Sequence, residues 1–576
     1  MIDQAVLAKL WQVGGRALAI ETCLAKASSK QVPDWDLVVI GGGITGAGIF
    51  REAARKGYRV LLVEQKDFAW GTSSKSSKMV HGGLRYLGSG QVGLAYDSVR
   101  ERQRLLQEVP GLVEPLQFLM THYRGVFPGP RIFNMLLAFY DWMGRKWNHH
   151  FHPARDAVFH APGISGDKLL GETQFGDAVT DDARLVLRVI HEGVADGGLA
   201  LNYLRASVNP APSEKNLRSL VLHDEVSGNE YPITARVVVN ATGAWTDLLR
   251  AQLGKDSVIR PLRGSHLILP GWRLPVAYAV SFFHPEDKRP VFVFPWEGVT
   301  VVGTTDLDHT LEAGKDIAIT AEEVAYLLEA ANHQFPGAKL TARDAIGSYS
   351  GVRPVVGTGA LNPSSEKREH SIWNDQGVIS VAGGKLTTFR LIALDVLRQA
   401  EEYLQDVGNH GPQEATIFKR QATRSRPDFL SESAYRRLCG RYGNSLGALL
   451  DNSDAQQPFE PAARIGWTDT LWLELDYVAG NEMVVHLDDL LLRRTRIGLL
   501  LERGGLEWVE EIKTISQARL GWSEERWSQE WKRYQQIWST FFGIPGQSPA
   551  VKKSEEAVRS SQPDSAALKA KQAELV

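Results

Sequence analysis

At 576 residues the chain has room for two or three domains with sizeable cores, and 43% hydrophobic with 23% charged residues is an ordinary soluble composition. The formal charge of −2 leaves no basic excess to neutralise a nucleic-acid backbone, which excludes a general nucleic-acid binder. Two distant cysteines, Cys23 and Cys439, give no disulfide or zinc framework, and no apolar run approaches the ~18 residues of a spanning helix. A reducing cytoplasm and, at most, peripheral membrane contact are the expectation.

Residues 1–33 read as an extension, one short amphipathic helix and a polar linker ending at Pro33, with Asp3 arguing against a signal peptide. The organising stretch is Asp36 to Glu64. Leu37–Ile40 suits a strand buried on both faces. Gly41, Gly43 and Gly46 then form G-x-G-x-x-G, a helical segment runs to about Lys56, and a second apolar run, Val60–Val63, ends in Glu64. Gly41 permits the tight turn, Gly43 lets a pyrophosphate approach the backbone, and Gly46 lets helix and strand pack closely. The helix N-terminus then holds the diphosphate, and Glu64 stands where a carboxylate accepts the hydroxyls of an adenosine ribose. Strand, turn, helix and acid together predict a dinucleotide site.

Asp67 to Leu87, DFAWGTSSKSSKMVHGGLRYL, is too rich in hydroxyls and glycine for a core; it reads as a solvated loop or as a cofactor and substrate loop. Thr72, Ser73, Ser74, Ser76 and Ser77 offer hydroxyls beside His81, Arg85 and Tyr86, and a guanidinium such as Arg85 grips a phosphate with two hydrogen bonds. Residues 91–109 read as a helix and 110–129 as loop-rich. Arg131–Trp147 is either a buried helix or a surface helix lying among lipid headgroups. His149, His150 and His152 lack an acid or cysteine at ligand spacing, so no metal site is expected.

From Glu172 an acidic loop through Asp181 and Asp182 leads into a helix and the strand Ala200–Val208. Ala235–Val239 opens into Asn240-Ala241-Thr242-Gly243-Ala244-Trp245, a small-residue turn suited to a second approach to the dinucleotide. Residues 258–310 alternate like an antiparallel substrate sheet, whose polar positions include Arg263, His266, Arg289, Thr304, Thr305 and Asp306. Arg353 sits in a further strand-like turn. Gly377–Leu397 reads as strand, glycine turn and helix, with Lys385, Thr387 and Thr388 at a helix N-terminus able to stabilise negative charge. Residues 423–545 are helical, with Trp527, Trp531, Tyr534 and Trp538 on one face as core packing, and 546–576 have the composition of a disordered tail.

The ordered set DLVVIGGGITGAG, TSSKSSKMVHGGLRYL, DDARL, NATGAW, RGSH, DKRPVFVFPW, GTTD, SGVRP and GGKLTTFR closely resembles the flavin-dependent (aerobic, respiratory) glycerol-3-phosphate dehydrogenases over about residues 35–390. ELDYVAGNEMVVHLDDLLLRRTRIGLL is similar to that family's C-terminal signature. The chain departs from the pattern at Gly176, where an aromatic residue is common, and at Gly88-Ser89, where an acid is usual. The resemblance implies an α/β fold: a glutathione-reductase-type, Rossmann-like FAD-binding domain, discontinuous over 34–400. Into it a mixed antiparallel-sheet substrate domain is inserted at about 90–200 and 245–350, and a helical C-terminal domain follows at 401–545. It implies non-covalent FAD, held by Gly41, Gly43, Gly46 and Glu64, by Thr72, Ser73, Ser77 and Lys78, by Ala206, by Thr242, Gly243 and Trp245, and by Leu386, Thr387 and Thr388.

The implied reaction oxidises sn-glycerol 3-phosphate to dihydroxyacetone phosphate by hydride transfer to FAD, with electrons passed to a membrane quinone. Arg85 and Arg353 would bind substrate, His266 would be the base and Lys385 its rival. The implied setting is cytoplasmic, peripheral on the inner face of the cytoplasmic membrane, with a homodimer left open. Two other readings stand beside this one, an oxidase using oxygen and a non-catalytic FAD-binding protein.

Overall fold

The computed structural model describes residues 9–24, 33–84, 87, 91–145, 147–211, 217–312, 314–357, 369–404, 416–419, 424–451, 460 and 462–547. Arg85 and, but for residues 546 and 547, the tail lie outside them, and the fold below is that of residues 1–545. Its first sheet runs in the order Ser371–Asp375, Val378–Ala382, Glu230–Asn240, Trp35–Ile40, Val60–Val63, Leu199–Leu201, with Arg218–Asp224 and Leu204–Val208 attached beside Glu230–Asn240. From Val378–Ala382 to Leu199–Leu201 the neighbours are parallel. Parallel strands are covered on both faces, which is why their apolar runs are continuous: Leu37, Val60–Val63, Val237–Val239, Val378 and Ile379 are all buried. The crossover helix Ile44–Arg55 packs against helices Asp182–Ala195 and Phe389–Ala400. Gly193 and Gly198 make room there for Phe50, whose ring lies 2.5 Å from where either Cβ would stand.

The second sheet carries the substrate side. Its order is Leu307–Asp308, Ile259–Pro270, Val299–Gly303, Pro290–Trp296, Ala279–Phe283, Val113–Tyr123, Leu169–Thr180, Met79–Val80, with Gly347–Val356 also paired to Ile259–Pro270. Its pairings are antiparallel except the parallel pair Ala279–Phe283 with Val113–Tyr123.

Two expectations are corrected here. Residues 113–123, within the stretch expected to be loop-rich, and 169–180, which an acidic loop was expected to occupy from Glu172, form the longest antiparallel ladder, in which Leu116, Phe118 and Met120 are buried while Pro115 and Gly176 disguise the pattern. Asp181 is the cap of the helix that follows, accepting from the Arg184 amide at 3.1 Å. Ala200–Val208 is two strands, because Tyr203 takes a left-handed backbone (φ 55°) and sends Leu204–Val208 to a different neighbour. The strands of the second sheet run to Thr180 in the first half of the chain and, with Gly347–Val356, to Val356 in the second.

Residues 9–24 clasp the body. Trp11 stacks on Phe68 at 5.5 Å, Arg16 pairs with Asp224 at 2.6 Å, and the Met483 amide donates to the Trp11 carbonyl at 2.8 Å. In the helical C-terminal region Trp527 and Tyr534 are buried, as a core face requires.

The seam between this region and the dinucleotide sheet is ionic. Arg184 grips Glu482 through two hydrogen bonds of 2.6 and 2.7 Å with both side chains fully buried, and Arg441 holds Asp181 at 2.7 Å. Burial pushes the Asp181 carboxyl up, but Arg441 and Arg496 outweigh it and bring it down to about 2. Breaking a buried pair costs far more than replacing it. Glu482→Gln should lose about 3–5 kcal/mol, read as the urea unfolding midpoint, while the double variant Arg184→Met, Glu482→Leu should recover most of that loss. An unshifted midpoint in Glu482→Gln would show that the pair is dispensable.

Candidate active site

Four parallel strands end at one place. Ile40 passes to Gly41, Val63 to Glu64, Asn240 to Ala241 and Ala382 to Gly383, and these four following residues or their neighbours line a cavity of about 340 Å3. This is the carboxyl edge of an open parallel sheet, where such folds bind ligands. Gly41 has φ +113°, and a Cβ there would stand 2.5 Å from the Ala241 carbonyl oxygen. A Cβ on Gly46 would stand 1.9 Å from the Gly41 carbonyl, so this glycine serves helix packing and not the cavity wall. The helix starts at Ile44, whose amide donates to Ser73 Oγ at 2.9 Å. Glu64 accepts from the Gly42 and Lys66 amides at 2.7 and 2.9 Å, and burial, opposed by those amides, pushes its carboxyl up.

Trp70 and Trp245 flank the same cavity with centroids 5.4 Å apart, and the buried Trp245 Nε1 has no hydrogen-bond partner among the described residues. A close-approach glycine turn, a helix N-terminus, an indole pair and an unsatisfied indole donor suit a dinucleotide carrying a diphosphate.

A second chamber of about 950 Å3 adjoins the first and shares Thr72, Ser76, Pro354, Gly383, Gly384, Lys385 and Leu386 with it. Its polar lining includes His81, Arg289, Thr304, Asp306, Arg353 and Thr387. Its apolar lining includes Phe118, Met120, Phe127, Phe133, Leu136 and Phe175. Thr387 fixes His81 by accepting from its amide and donating to its carbonyl, both at 3.2 Å.

Of the residues expected at the cofactor, Gly41, Gly43, Glu64, Thr72, Ser73, Ala206, Thr242, Gly243, Trp245 and Leu386 line the first cavity, while Ser77 and Thr387 line the second. Arg353 and Lys385 are in the chamber. Thr388 is buried at the start of helix Phe389–Ala400.

Lys78 and His266 are placed elsewhere. Lys78 lines neither space; its ammonium lies 3.0 Å from Asp182, over the rings of Trp296 and Tyr349, and burial brings it down to about 8 despite Asp182. His266 is buried behind Ser77, with Nε2 2.9 Å from Ser77 Oγ and its ring stacked on Tyr349 at 4.6 Å. Burial first, then the charges of Lys78 and Arg353, hold it well below the ordinary histidine range. Ser77 lines the chamber, and His266 is not among its lining residues. In the sequence Ser76 and His81 stand out as polar groups of the hydroxyl-rich loop with no individual role assigned, and Trp70 does not stand out at all.

A family model of FAD dependent oxidoreductases matches residues 36–390, and one of the C-terminal domain of alpha-glycerophosphate oxidase matches residues 402–527. The chain is therefore an FAD-dependent oxidoreductase, and FAD is the dinucleotide that the first cavity fits. It is 31% identical over 497 residues to the aerobic glycerol-3-phosphate dehydrogenase of Staphylococcus haemolyticus, covering 81% of this chain and 87% of that one. The structure of the glycerol-3-phosphate dehydrogenase from Bacillus halodurans complexed with FAD superposes with a TM-score of 0.71 at 26% identity, over 92% of this chain and 99% of that one. L-alpha-glycerophosphate oxidase from Mycoplasma pneumoniae, at 16% identity and a TM-score of 0.51 over 64% of this chain and 94% of that one, shares the fold. Within the oxidoreductases the chain belongs to the FAD-dependent glycerol-3-phosphate dehydrogenase family.

Buried neutral histidines give the stability a pH signature. Burial brings His122 and His191 down to about 4 and is the largest cause at His266 too. The unfolded chain protonates these rings near pH 6.5 while the folded one does not, so their contribution is whole above 6.5 and is lost as pH falls towards 4. Urea midpoints should fall across that window, and less steeply in the double variant His122→Gln, His191→Gln. Identical slopes would contradict the assignment.

Proposed function

We propose that the protein oxidises sn-glycerol 3-phosphate to dihydroxyacetone phosphate and passes the electrons to a membrane quinone. The observation that carries this reading is the joint chamber: cationic groups and an imidazole stand where the dinucleotide cleft meets a large apolar space. Oxidation of a secondary alcohol needs a base for the hydroxyl proton and an acceptor for the hydride. Bound FAD supplies the hydride acceptor. His81 takes the proton, since its imidazole is in the chamber wall and its backbone is fixed by Thr387, whereas His266 is screened by Ser77. Arg353 and Lys385 hold the phosphate and so fix the reacting carbon, which is the positional part of catalysis. Phe118, Met120 and Phe175, which line the same chamber, give it apolar walls that limit water.

A three-carbon phosphate fills a fraction of a 950 Å3 chamber, and the apolar remainder suits a quinone ring. Phe133 and Leu136 of that wall belong to helix Pro130–Gly144, whose outer face exposes Ile132, Met135, Phe139 and Trp142 between the exposed Arg131 and Arg145. Phe127 and Trp147, 76% and 70% exposed, extend the patch. No helix among the described residues is long and apolar enough to cross a membrane. An apolar face with basic ends suits lying among anionic headgroups, here on the inner face of the cytoplasmic membrane. The oxidase reading draws support from the C-terminal match to alpha-glycerophosphate oxidase.

Anaerobic mixing with sn-glycerol 3-phosphate should bleach the flavin band, and a quinone analogue should restore it faster than oxygen. No bleaching would overturn the substrate; faster return with oxygen would favour the oxidase. His81→Gln should slow bleaching about 10²–10⁴-fold, the usual contribution of a general base, and His266→Gln by much less. The reverse order would return the role to His266. Met135→Glu with Trp142→Glu should abolish cosedimentation with anionic vesicles and leave anaerobic bleaching intact; persisting cosedimentation would clear this helix of the docking role.

A further inference from the structure

We propose that the Ser77 hydroxyl donates to a phosphate oxygen of the substrate beside Arg353, and that His266 is the positioning residue which turns it that way. This rests on the reading of the chamber as the site of a phosphorylated polyol. The family resemblance gives Ser77 to the cofactor, but Thr72 and Ser76 line both spaces while Ser77 lines the second alone. The backbone turns at this point. Lys78 has φ 60° and its ammonium goes to the buried Asp182, while Ser77 stays at the chamber wall.

The direction of one hydrogen bond carries the inference. The Ser77 hydroxyl meets His266 Nε2 at 2.9 Å, its one partner among the described residues. His266 is buried, and its Nδ1 has no partner among those residues. A neutral imidazole carries its proton on one nitrogen only. On Nδ1 it would make a buried N–H with no acceptor, the rarer orphan in folded proteins; on Nε2 it leaves only a lone pair unused. The ring therefore donates from Nε2 to Ser77 Oγ, and the serine proton is left for the chamber that Ser77 lines. Burial first, then the charges of Lys78 and Arg353, keep the ring neutral. It has no room to turn, since Tyr349 stacks on one face at 4.6 Å and a Cβ on Gly303, its partner across the sheet, would stand 2.1 Å from His266 Cδ2.

The neighbouring guanidinium names the ligand group. Gly264 stands two residues before His266 on strand Ile259–Pro270, so both face the same side, about 7 Å apart. A Cβ on Gly264 would stand 2.9 Å from Arg353 Nη2, so the guanidinium fills the space that this glycine leaves next to His266. A guanidinium and a hydroxyl donor side by side recognise an oxyanion with several acceptor oxygens, and in the proposed substrate that group is the phosphate.

The test is equilibrium dialysis of radiolabelled sn-glycerol 3-phosphate against the chemically reduced holoenzyme, where no turnover consumes it. Ser77→Ala should raise the dissociation constant about 10–100-fold, as for a lost hydrogen bond to a charged group, and leave bound FAD and its visible spectrum unchanged. Inorganic phosphate, competing in the same dialysis, should weaken by a similar factor. His266→Gln, whose amide nitrogen stands in for Nε2, should stay within about threefold of wild type, whereas His266→Leu should weaken binding as Ser77→Ala does. Adding His266→Leu to Ser77→Ala should then cost little more, because His266 acts through Ser77. Wild-type enzyme that binds the ester when reduced but is not bleached by it when oxidised would strike the oxidation reading, and the same variants would still decide the role of Ser77. A constant within about twofold of wild type in Ser77→Ala, weakening of the ester without weakening of inorganic phosphate, or additive losses in the double variant would overturn the proposal.

Discussion

The cofactor cleft takes its shape from a buried lattice of arginines and carboxylates between the helical C-terminal region and the loop of residues 67–78. Asp67, which opens the loop, is held by Arg493, Arg494 and the Asn202 amide group. In its middle the Ser74 carbonyl accepts from Arg496 at 2.7 Å. Near its end Asp182 receives the Ser76 amide and hydroxyl at 2.9 and 2.7 Å together with the Lys78 ammonium. Burial pushes the Asp67 carboxyl up, yet Arg494 and Arg493 outweigh it and hold it below the ordinary range. Buried charges of this kind persist only when each is paired, so the lattice is all or nothing. It leaves Thr72, Ser73 and Ser77 facing the cavities and no freedom for the backbone that carries them.

This lattice ties a helical region remote in sequence to the loop that lines the dinucleotide site. The pairs Arg493–Asp67 and Arg496–Ser74 span more than 400 residues, and no local pattern announces them. By contrast the turn at Gly41–Gly46, the acid Glu64, the turn after Asn240 and the glycine pair before Lys385 were legible, because each is a strand, a turn and a helix read within about twenty residues. The ladder of 113–123 with 169–180 was not, since Pro115 and Gly176 stand where a strand pattern expects side chains. Depth was the other hidden quantity. A lysine in a serine-rich loop reads as a cofactor contact until Asp182, itself fully buried, is seen to claim it.

Polarity divides the chamber by the same logic. Arg353 comes to its lining from the second sheet and Lys385 from the loop after Ala382, and Lys385 lines the cofactor cleft as well. The chamber's apolar lining draws on the inner face of a helix whose outer face is also apolar. A helix packed on one side only would normally turn charge to water. Exposed Met135 and Trp142, at 68% each, are the departure from that rule on which the proposed membrane contact rests, and Phe133 and Leu136 of the same helix line the chamber.

His266 shows how the two halves constrain the chemistry. It lies against Ser77 in front, Tyr349 at its face and the charges of Lys78 and Arg353 nearby. Lys78 is itself fixed by the lattice, so its positive charge cannot move away. A proton on His266 would add a cation to a crowd of cations in a desolvated place, and the ring stays neutral well below pH 6.5. The neutral ring can then take or give a hydrogen bond to the Ser77 hydroxyl without altering the charge of the chamber. As the pH falls through the ordinary histidine range, the charge beside the chamber therefore does not grow through His266.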